Sequence, residues 1–298
     1  MQSIVPALFR KVAGVNYQRE RINTPDGDFL DLDWLKSQRP NLLIICHGLE
    51  GSTDRAYVKG IARFFNLKGW DVLTWNYRGC GQEINRKLRF YHSGATDDLE
   101  TVIKHASINH HYLNISLVGF SLGGNLVLKY LGERGSTVIS KAVGLSVPMD
   151  LYGSCLQISN GFNRIYGSRF LRKLKQKVKT KAALYPGVFD LQLLDKVKYL
   201  IEFDDLFTAP IHGFKNALDY YQKCSSLNFI NNIQVPTLVV NALNDPMLSP
   251  SCYPKIATIN HRYLELLYPA AGGHCGFADT RCVEGYWSEE LVWNYLND

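Results

Sequence analysis

Short apolar runs alternate with amphipathic stretches along most of this chain. Runs of four to six mostly apolar residues indicate strands that are buried on both faces. These runs are Leu42–Cys46, Val72–Trp75, Ile115–Phe120, Ala142–Leu145, Thr237–Asn241 and Tyr263–Tyr268. Before them, Leu30, Leu32 and Trp34 alternate with two aspartates. That alternation predicts a half-buried, antiparallel strand near the beginning of the sheet.

Helical spacing of apolar residues follows several of these runs. It is found in Tyr57–Lys68, Asp97–Ile108, Leu122–Glu133 and Ser288–Tyr295. Strands that alternate with helices form parallel sheets with helices packed on their faces. The sequence therefore predicts the α/β class, with a mostly parallel central sheet flanked by helices.

The alternation stops between Leu151 and Gln234. This stretch is rich in aromatic residues, has no clear strand pattern and is interpreted as several helices. An insertion between two core strands, at the edge where parallel strands end, would lie over a site at that edge. We therefore predict a core of residues 1–150 and 235–298 and a helical cap of residues 151–234.

Length and composition agree with a globular protein. The 298 residues are near the upper limit for one hydrophobic core, and 46% hydrophobic with 20% charged residues excludes a disordered or fibrous chain. The seven cysteines include no C-x-x-C pair, and most lie in apolar runs, which favours a reducing compartment. Neither a signal-peptide pattern nor a run of about 20 apolar residues is found. A cytoplasmic location is the resulting prediction.

One serine with glycines on both sides lies between a predicted strand and a predicted helix. Gly119-Phe120-Ser121-Leu122-Gly123 fits the pattern G-x-S-x-G, and its flanks supply the strand–turn–helix context that a nucleophile elbow requires. In such a turn the serine Oγ stands above the sheet, and the glycines avoid the clashes that a Cβ would cause. We therefore predict that Ser121 is a catalytic nucleophile.

A serine nucleophile needs a base to remove its proton and an acid to orient that base. In folds with this turn, the acid and then the histidine follow the serine along the chain. Asp245 and His274 follow the last two predicted strands, at the edge where Ser121 emerges. His274 is the predicted base and Asp245 the predicted acid. Asp150 is the alternative acid, because it also follows a strand.

The oxyanion of an acyl-transfer reaction needs two N–H donors. One predicted donor is the amide of Leu122, at the N-terminus of the helix that follows the serine. The second is the amide of Leu49, in the turn His47-Gly48-Leu49-Glu50 after an apolar strand. His47 and Glu50 are predicted to hold this loop in place rather than to react.

These residues and several further segments resemble the YheT-like α/β-hydrolases, a family that includes animal and yeast abhydrolase-domain esterases. The resemblance covers nearly the whole chain and is carried by PDGDFLD at 25–31, HGLEGS at 47–52, NYRGCG at 76–81, YHSG at 91–94, GFSLGGN at 119–125, EFDD at 202–205 and TAP at 208–210. It implies the α/β-hydrolase fold, a triad of Ser121, Asp245 and His274, and carboxylesterase activity on acyl esters.

The predicted reaction is hydrolysis of a carboxylic ester, with a short- to medium-chain acyl group or a lipid as substrate and no metal or organic cofactor. An acyltransferase is the alternative, because an alcohol can replace water in the release of the same acyl-enzyme. A non-catalytic binding protein is a weaker alternative. Such proteins typically lose a triad member, and all three are present here.

A basic stretch falls within the predicted cap. The residues from Arg164 to Lys181 include eight Lys or Arg and no acid, with Phe170, Leu174 and Val178 at helical spacing, so a basic amphipathic helix is predicted. A solvated face of the cap is the simpler interpretation, and contact with an anionic membrane is the alternative. No nucleic-acid partner is predicted, because the stretch has no stacking platform and matches no known reader.

Overall fold

The computed structural model describes residues 2–37, 39–255, 261–278 and 285–298, which form a single eight-stranded sheet with helices on both faces. Strands β1 to β8 are, in chain order, Gln18–Asn23, Phe29–Leu35, Asn41–Cys46, Asp71–Asn76, Asn114–Phe120, Ile139–Leu145, Thr237–Val240 and Leu264–Leu267. Their order across the sheet is β1-β2-β4-β3-β5-β6-β7-β8. β2 is antiparallel to both of its neighbours, and every other pair is parallel. The predicted mostly parallel sheet is confirmed.

Helices cover both faces of this sheet. Helices α1 to α11 are, in chain order, Ile4–Phe9, Ala56–Leu67, Thr96–Asn109, Leu122–Arg134, Leu151–Ser159, Arg164–Leu184, Leu191–Lys196, Leu200–Phe203, Ala209–Ile211, Ala217–Cys224 and Trp287–Asn297. In β3, Leu42 and Ile44 pack in one cluster with α3 and α4. Leu43 and Ile45 pack in the opposite cluster with α2 and α11. Because both faces are covered, the strand is apolar from Leu42 to Cys46.

Strand β2 differs from the prediction in its burial. β2 is buried along its whole length, whereas its alternating pattern predicted a half-buried strand. From the neighbouring β1, Arg21 lies 2.7 Å from Asp31 and Arg19 lies 2.8 Å from Asp33. A carboxylate that is paired and hydrogen-bonded can be buried. The two aspartates therefore mark a covered face of β2 and not an exposed one.

The chain between β6 and β7 forms α5 to α10 and contains no strand. Its side chains enclose an apolar cluster of their own, which is centred on residues such as Val178, Phe203 and Tyr220. Residues of this segment line a cavity together with Ser121 and His274 from the loops after β5 and β8. The segment therefore lies at the carboxyl edge of the sheet, and its division from the core at 151 and 234 stays a prediction.

The cysteines and the helices bear on the predicted location. Cysteines 46, 80, 155, 224, 252 and 275 are free thiols, and Cys282 lies outside the described residues. Among the helices of the described ranges, none is long and apolar enough to cross a membrane. A cytoplasmic location stays a prediction.

Candidate active site

The turn between β5 and α4 holds Ser121 in an unusual backbone conformation. Its φ of 54° and ψ of −121° lie outside the regions that side chains favour, which costs of order 1–3 kcal/mol and is typical of functional sites. The flanking glycines make the turn sterically feasible. A Cβ on Gly123 would lie 2.3 Å from the carbonyl oxygen of Cys46, and one on Gly119 would lie 2.3 Å from that of Gly123.

His274 connects the serine to an aspartate. Its Nε2 lies 2.8 Å from Oγ of Ser121, and its Nδ1 lies 2.9 Å from Oδ2 and 3.1 Å from Oδ1 of Asp245. The Asp245 side chain is fully buried, and its Oδ1 also accepts a hydrogen bond from the amide of Met247 at 2.9 Å. With Nδ1–H donating to the carboxylate, Nε2 is free to accept the serine proton. The structure thus brings together the three residues that the sequence predicts as a triad.

The surroundings of His274 act on its pKa in opposite directions. Burial is the largest single influence and disfavours the imidazolium, but the adjacent Asp245 carboxylate and Cys275 together outweigh it and raise the pKa of His274 well above its usual value. The carboxylate is therefore positioned to stabilise a positive charge on the imidazole of His274.

Asp150, the alternative acid, occupies a different position. It is the N-cap of α5, where its Oδ1 accepts a hydrogen bond from the amide of Gly153 at 3.0 Å. Its Oδ2 accepts a hydrogen bond from Ser251 at 2.5 Å. Both oxygens are engaged away from His274, so the geometry favours Asp245 as the orienting acid.

The loop that carries His274 is held by residues that the sequence analysis did not identify. The hydroxyl of Ser3 accepts a hydrogen bond from the His274 amide at 2.8 Å, and Oε1 of Gln2 accepts one from the amide of Gly272 at 3.0 Å. Oδ1 of Asn244, the residue before the candidate acid, also accepts a hydrogen bond from the amide of Gly272, at 3.1 Å. No pattern in the chain relates residues 2–3 to the histidine loop, because the contact is formed only by the fold.

The loop after β3 lies beside the nucleophile. A Cβ on Gly48 would be 3.1 Å from Cβ of Ser121. The amide of Leu49 donates no hydrogen bond to any described residue. Leu122 is the first residue of α4, so its amide has no acceptor within the helix. Both predicted oxyanion donors therefore lie next to Ser121 with unused N–H groups. His47 is buried, and burial lowers its pKa to about 3, which agrees with a structural role.

A buried ion pair joins this loop to α6. Nζ of Lys177 lies 2.6 Å from Oε1 of Glu50, and the two side chains are 6% and 7% exposed. The hydroxyl of Tyr91 donates to the same carboxylate at 2.8 Å. Glu50 adopts a φ of 50°, a conformation that a non-glycine residue rarely takes without support. The lysine thus holds the loop that presents the Leu49 amide.

Replacing Lys177 by methionine is expected to lower the free energy of unfolding by about 3–5 kcal/mol, because the Glu50 carboxylate would remain buried without its cation. The matched control is Lys179→Met on the same helix. Lys179 pairs with Asp195 at the surface with 45% of its side chain exposed, and such pairs contribute about 0–1 kcal/mol. Urea unfolding of both variants measures the difference, and equal destabilisation would contradict a special role for the buried pair.

Helix α6 contains the basic stretch, and part of its charge faces the interior. Lys177 and Lys181 are buried, and Nζ of Lys181 donates to the carbonyl oxygens of Asn85 and Lys87. Burial lowers the pKa of Lys181 to about 8. The predicted amphipathic helix is therefore present, but its lysines do not form one solvated face.

Two cavities meet at the candidate triad, and both are lined by Leu49, Ser121 and His274. We name the one beneath the helical segment the cap cavity; its wall is mainly apolar and includes Phe90, Leu151, Ile158, Leu174, Leu200 and Tyr220. We name the other the outer cavity; it opens between α1, the loop after β3 and α6, and its wall includes Ile4, Arg10, Arg55, Phe170, Arg169 and Lys173. The described residues contain no group of three or more His, Cys, Asp or Glu arranged to hold a metal ion.

Comparisons with known proteins bear on the fold and on the broad activity. A family model described as the alpha/beta hydrolase fold matches residues 41–279. YheT of Escherichia coli (strain K12), whose name assigns it to the esterases, is 35% identical over 99% of this chain and 89% of its own length. Phospholipase ABHD3 of Mus musculus is 29% identical over 98% of this chain and 72% of its own length. The solved structure of the Pyrococcus furiosus esterase Pf2001 superimposes with a TM-score of 0.63, at 18% identity, over 97% of this chain and 98% of that one.

Proposed function

The chain belongs to the α/β-hydrolase family, and from this membership we propose that it cleaves carboxylic esters through an acyl-enzyme formed on Ser121. The observation that carries the proposal is the position of His274, with Nε2 at 2.8 Å from the serine Oγ and Nδ1 at 2.9 Å from Asp245. The relatives support the broader activity of a carboxylic ester hydrolase. The route and the type of ester are our proposal.

The reaction follows from the positions of these groups. Oγ of Ser121 attacks the ester carbonyl while His274 takes its proton, and the amides of Leu49 and Leu122 stabilise the oxyanion. His274 then gives that proton to the departing alcohol oxygen, and the acyl group remains bonded to Oγ. A water molecule, deprotonated by His274, attacks the acyl-enzyme and releases the carboxylic acid, which restores the serine hydroxyl.

The apolar wall of the cap cavity supports a medium-chain acyl group or a lipid acyl chain as the acid portion of the ester. Each buried CH₂ group contributes about 0.8 kcal/mol, so a cavity with this lining favours a hydrocarbon chain over an acetyl group. The outer cavity, which also reaches His274, would then receive the alcohol portion.

Hydrolysis of p-nitrophenyl esters from acetyl to palmitoyl tests the proposal. We expect kcat/KM to rise with acyl chain length to a maximum at medium chains. We also expect paraoxon to label a single serine, Ser121, with the extent of labelling proportional to the activity lost. Adding an alcohol to the assay and measuring the ester formed separates hydrolysis from acyl transfer, which uses the same acyl-enzyme. Labelling at another residue, or no hydrolysis of any ester by the folded protein, would rule the proposal out.

We also propose peripheral contact with an anionic membrane through the stretch 164–181. With Lys177 and Lys181 buried, its exposed charge comes from three arginines and from Lys179, which is paired with Asp195. Beside them Phe162 is 94% exposed and Ile165 69% exposed, and exposed apolar residues among cations are typical of membrane-surface helices.

We expect more of the protein to co-sediment with phosphatidylserine vesicles than with phosphatidylcholine vesicles at low salt. The amount bound to phosphatidylserine vesicles should fall in Phe162→Asp. Equal binding to both vesicles would refute the contact.

A further inference from the structure

The outer cavity carries a group of basic side chains that the proposed mechanism does not use. Arg10, Arg55, Arg169 and Lys173 all line it. Arg10 is neutralised by an ion pair with Glu289. The other three come from the loop after β3 and from α6, and they surround the approach to Ser121 on the side opposite the cap cavity.

These three cations have no carboxylate partner within ion-pairing distance among the described residues. Nη2 of Arg55 and Nζ of Lys173 both donate to the main-chain oxygen of Glu50, at 3.0 and 2.9 Å. That carbonyl is neutral, and the Glu50 carboxylate is already bound by Lys177 at 2.6 Å. Arg169 is exposed and makes no hydrogen bond or ion pair with a described residue. The wall of the cavity therefore carries a net positive charge.

The repulsion within this group is visible at Lys173. The pKa of its ammonium is lowered by burial and then by the neighbouring Arg55, is partly raised by Glu50, and is lowered further by Arg169. Repulsion among these like charges does not stabilise the folded protein. A bound anion would relieve it, since guanidinium and ammonium groups at one site are the donors that bind phosphate.

We propose that the outer cavity binds a phosphate group on the alcohol portion of the ester, while the acyl chain lies in the cap cavity. The inference rests on the proposed function, because it divides one ester between the two cavities on either side of Ser121. It specifies the substrate class as an acyl ester of a phosphorylated alcohol. His274 borders both cavities. A phosphate bound in the outer cavity would therefore place the oxygen of the departing alcohol within reach of the proton that His274 donates.

Binding of two non-hydrolysable ethers tests this inference without requiring turnover. Octyl glycerol phosphate and octyl glycerol differ only in the phosphate, and isothermal titration calorimetry gives Kd for each. We expect the phosphate to tighten binding by about 10- to 100-fold, the range for hydrogen bonds to charged groups. The preference should fall as salt is added. Inorganic phosphate alone should bind more weakly than the phosphorylated ether.

Charge reversal of a cavity residue locates the site. Arg169→Glu should remove most of the phosphate preference, measured as the ratio of the Kd values of the two ethers in the same variant. Arg172→Glu is the control, because Arg172 is exposed on the same helix but is not part of the cavity wall. Equal Kd values for the two ethers, equal losses in the two variants, or inorganic phosphate binding as tightly as the ether would overturn the inference. If the protein hydrolyses no ester but still binds the phosphorylated ether more tightly than octyl glycerol, the proposed function would be refuted and the phosphate site would not.

Discussion

Replacing Ser121 by alanine is expected to lower kcat for p-nitrophenyl ester hydrolysis by about 10⁴- to 10⁶-fold, the loss found when a serine nucleophile is removed. The Oγ atom is the group that lies 2.8 Å from Nε2 of His274. Without it no acyl-enzyme can form, and only the oxyanion donors and the binding cavities remain to accelerate direct attack by water. The paraoxon label should disappear in the same variant.

The fold should tolerate this change, so the loss of rate can be assigned to chemistry. Serine and alanine both carry a Cβ, and the strain at the φ of 54° is therefore present in both. We expect the thermal midpoint to be unchanged within a few degrees. Ser116→Ala is the matched control, because Ser116 is buried in the same strand β5 and lines neither cavity. Activity within tenfold of wild type for Ser121→Ala would exclude this serine as the nucleophile.

The triad could be predicted because each of its residues is marked by local sequence and chain order. Ser121 lies in a turn whose glycines are sterically required, since a Cβ on Gly123 would meet a backbone carbonyl at 2.3 Å. Asp245 follows the buried strand β7, and His274 follows β8, an edge strand in which only Leu264 is buried. Parallel strands that run in one direction bring their following loops to one edge of the sheet. The pattern thus places the three side chains close together before any contact is known.

The contacts that support the site could not be predicted in this way. Glu50 and Lys177 are 127 residues apart, and a lysine within a basic helix is interpreted as solvated unless its buried partner is known. The same holds for β1, a strand of mostly polar residues. β1 is mostly exposed, and its arginines pair with the buried aspartates of β2. Pairing across the two strands, rather than the local periodicity of β2, therefore decides the burial of these aspartates.

Replacing Asp245 by asparagine is expected to lower kcat by about 10⁴-fold while the fold remains intact. The carboxylate accepts the Nδ1–H of His274 at 2.9 Å. An amide group in its place can donate to Nδ1, which would put the imidazole proton on Nε2 and prevent it from accepting the serine proton. Asp150→Asn is the control. Asp150 caps α5, and asparagine also caps helices well, so both activity and stability should change little.

The pH dependence of the residual activity gives a second, independent test of the same residue. Burial lowers the pKa of His274, but the Asp245 carboxylate, the largest of the opposing influences, and Cys275 together raise it above its usual value. In the wild type, kcat/KM should therefore rise along an acid limb centred above the usual histidine value of about 6.5, because only neutral His274 accepts the proton. In Asp245→Asn the negative charge that raises the pKa of His274 is lost, while the burial that lowers this pKa remains. The acid limb should therefore move to lower pH in Asp245→Asn and stay in place in Asp150→Asn. A severe loss of rate and a shifted limb in Asp150→Asn, with neither in Asp245→Asn, would assign the role of orienting acid to Asp150.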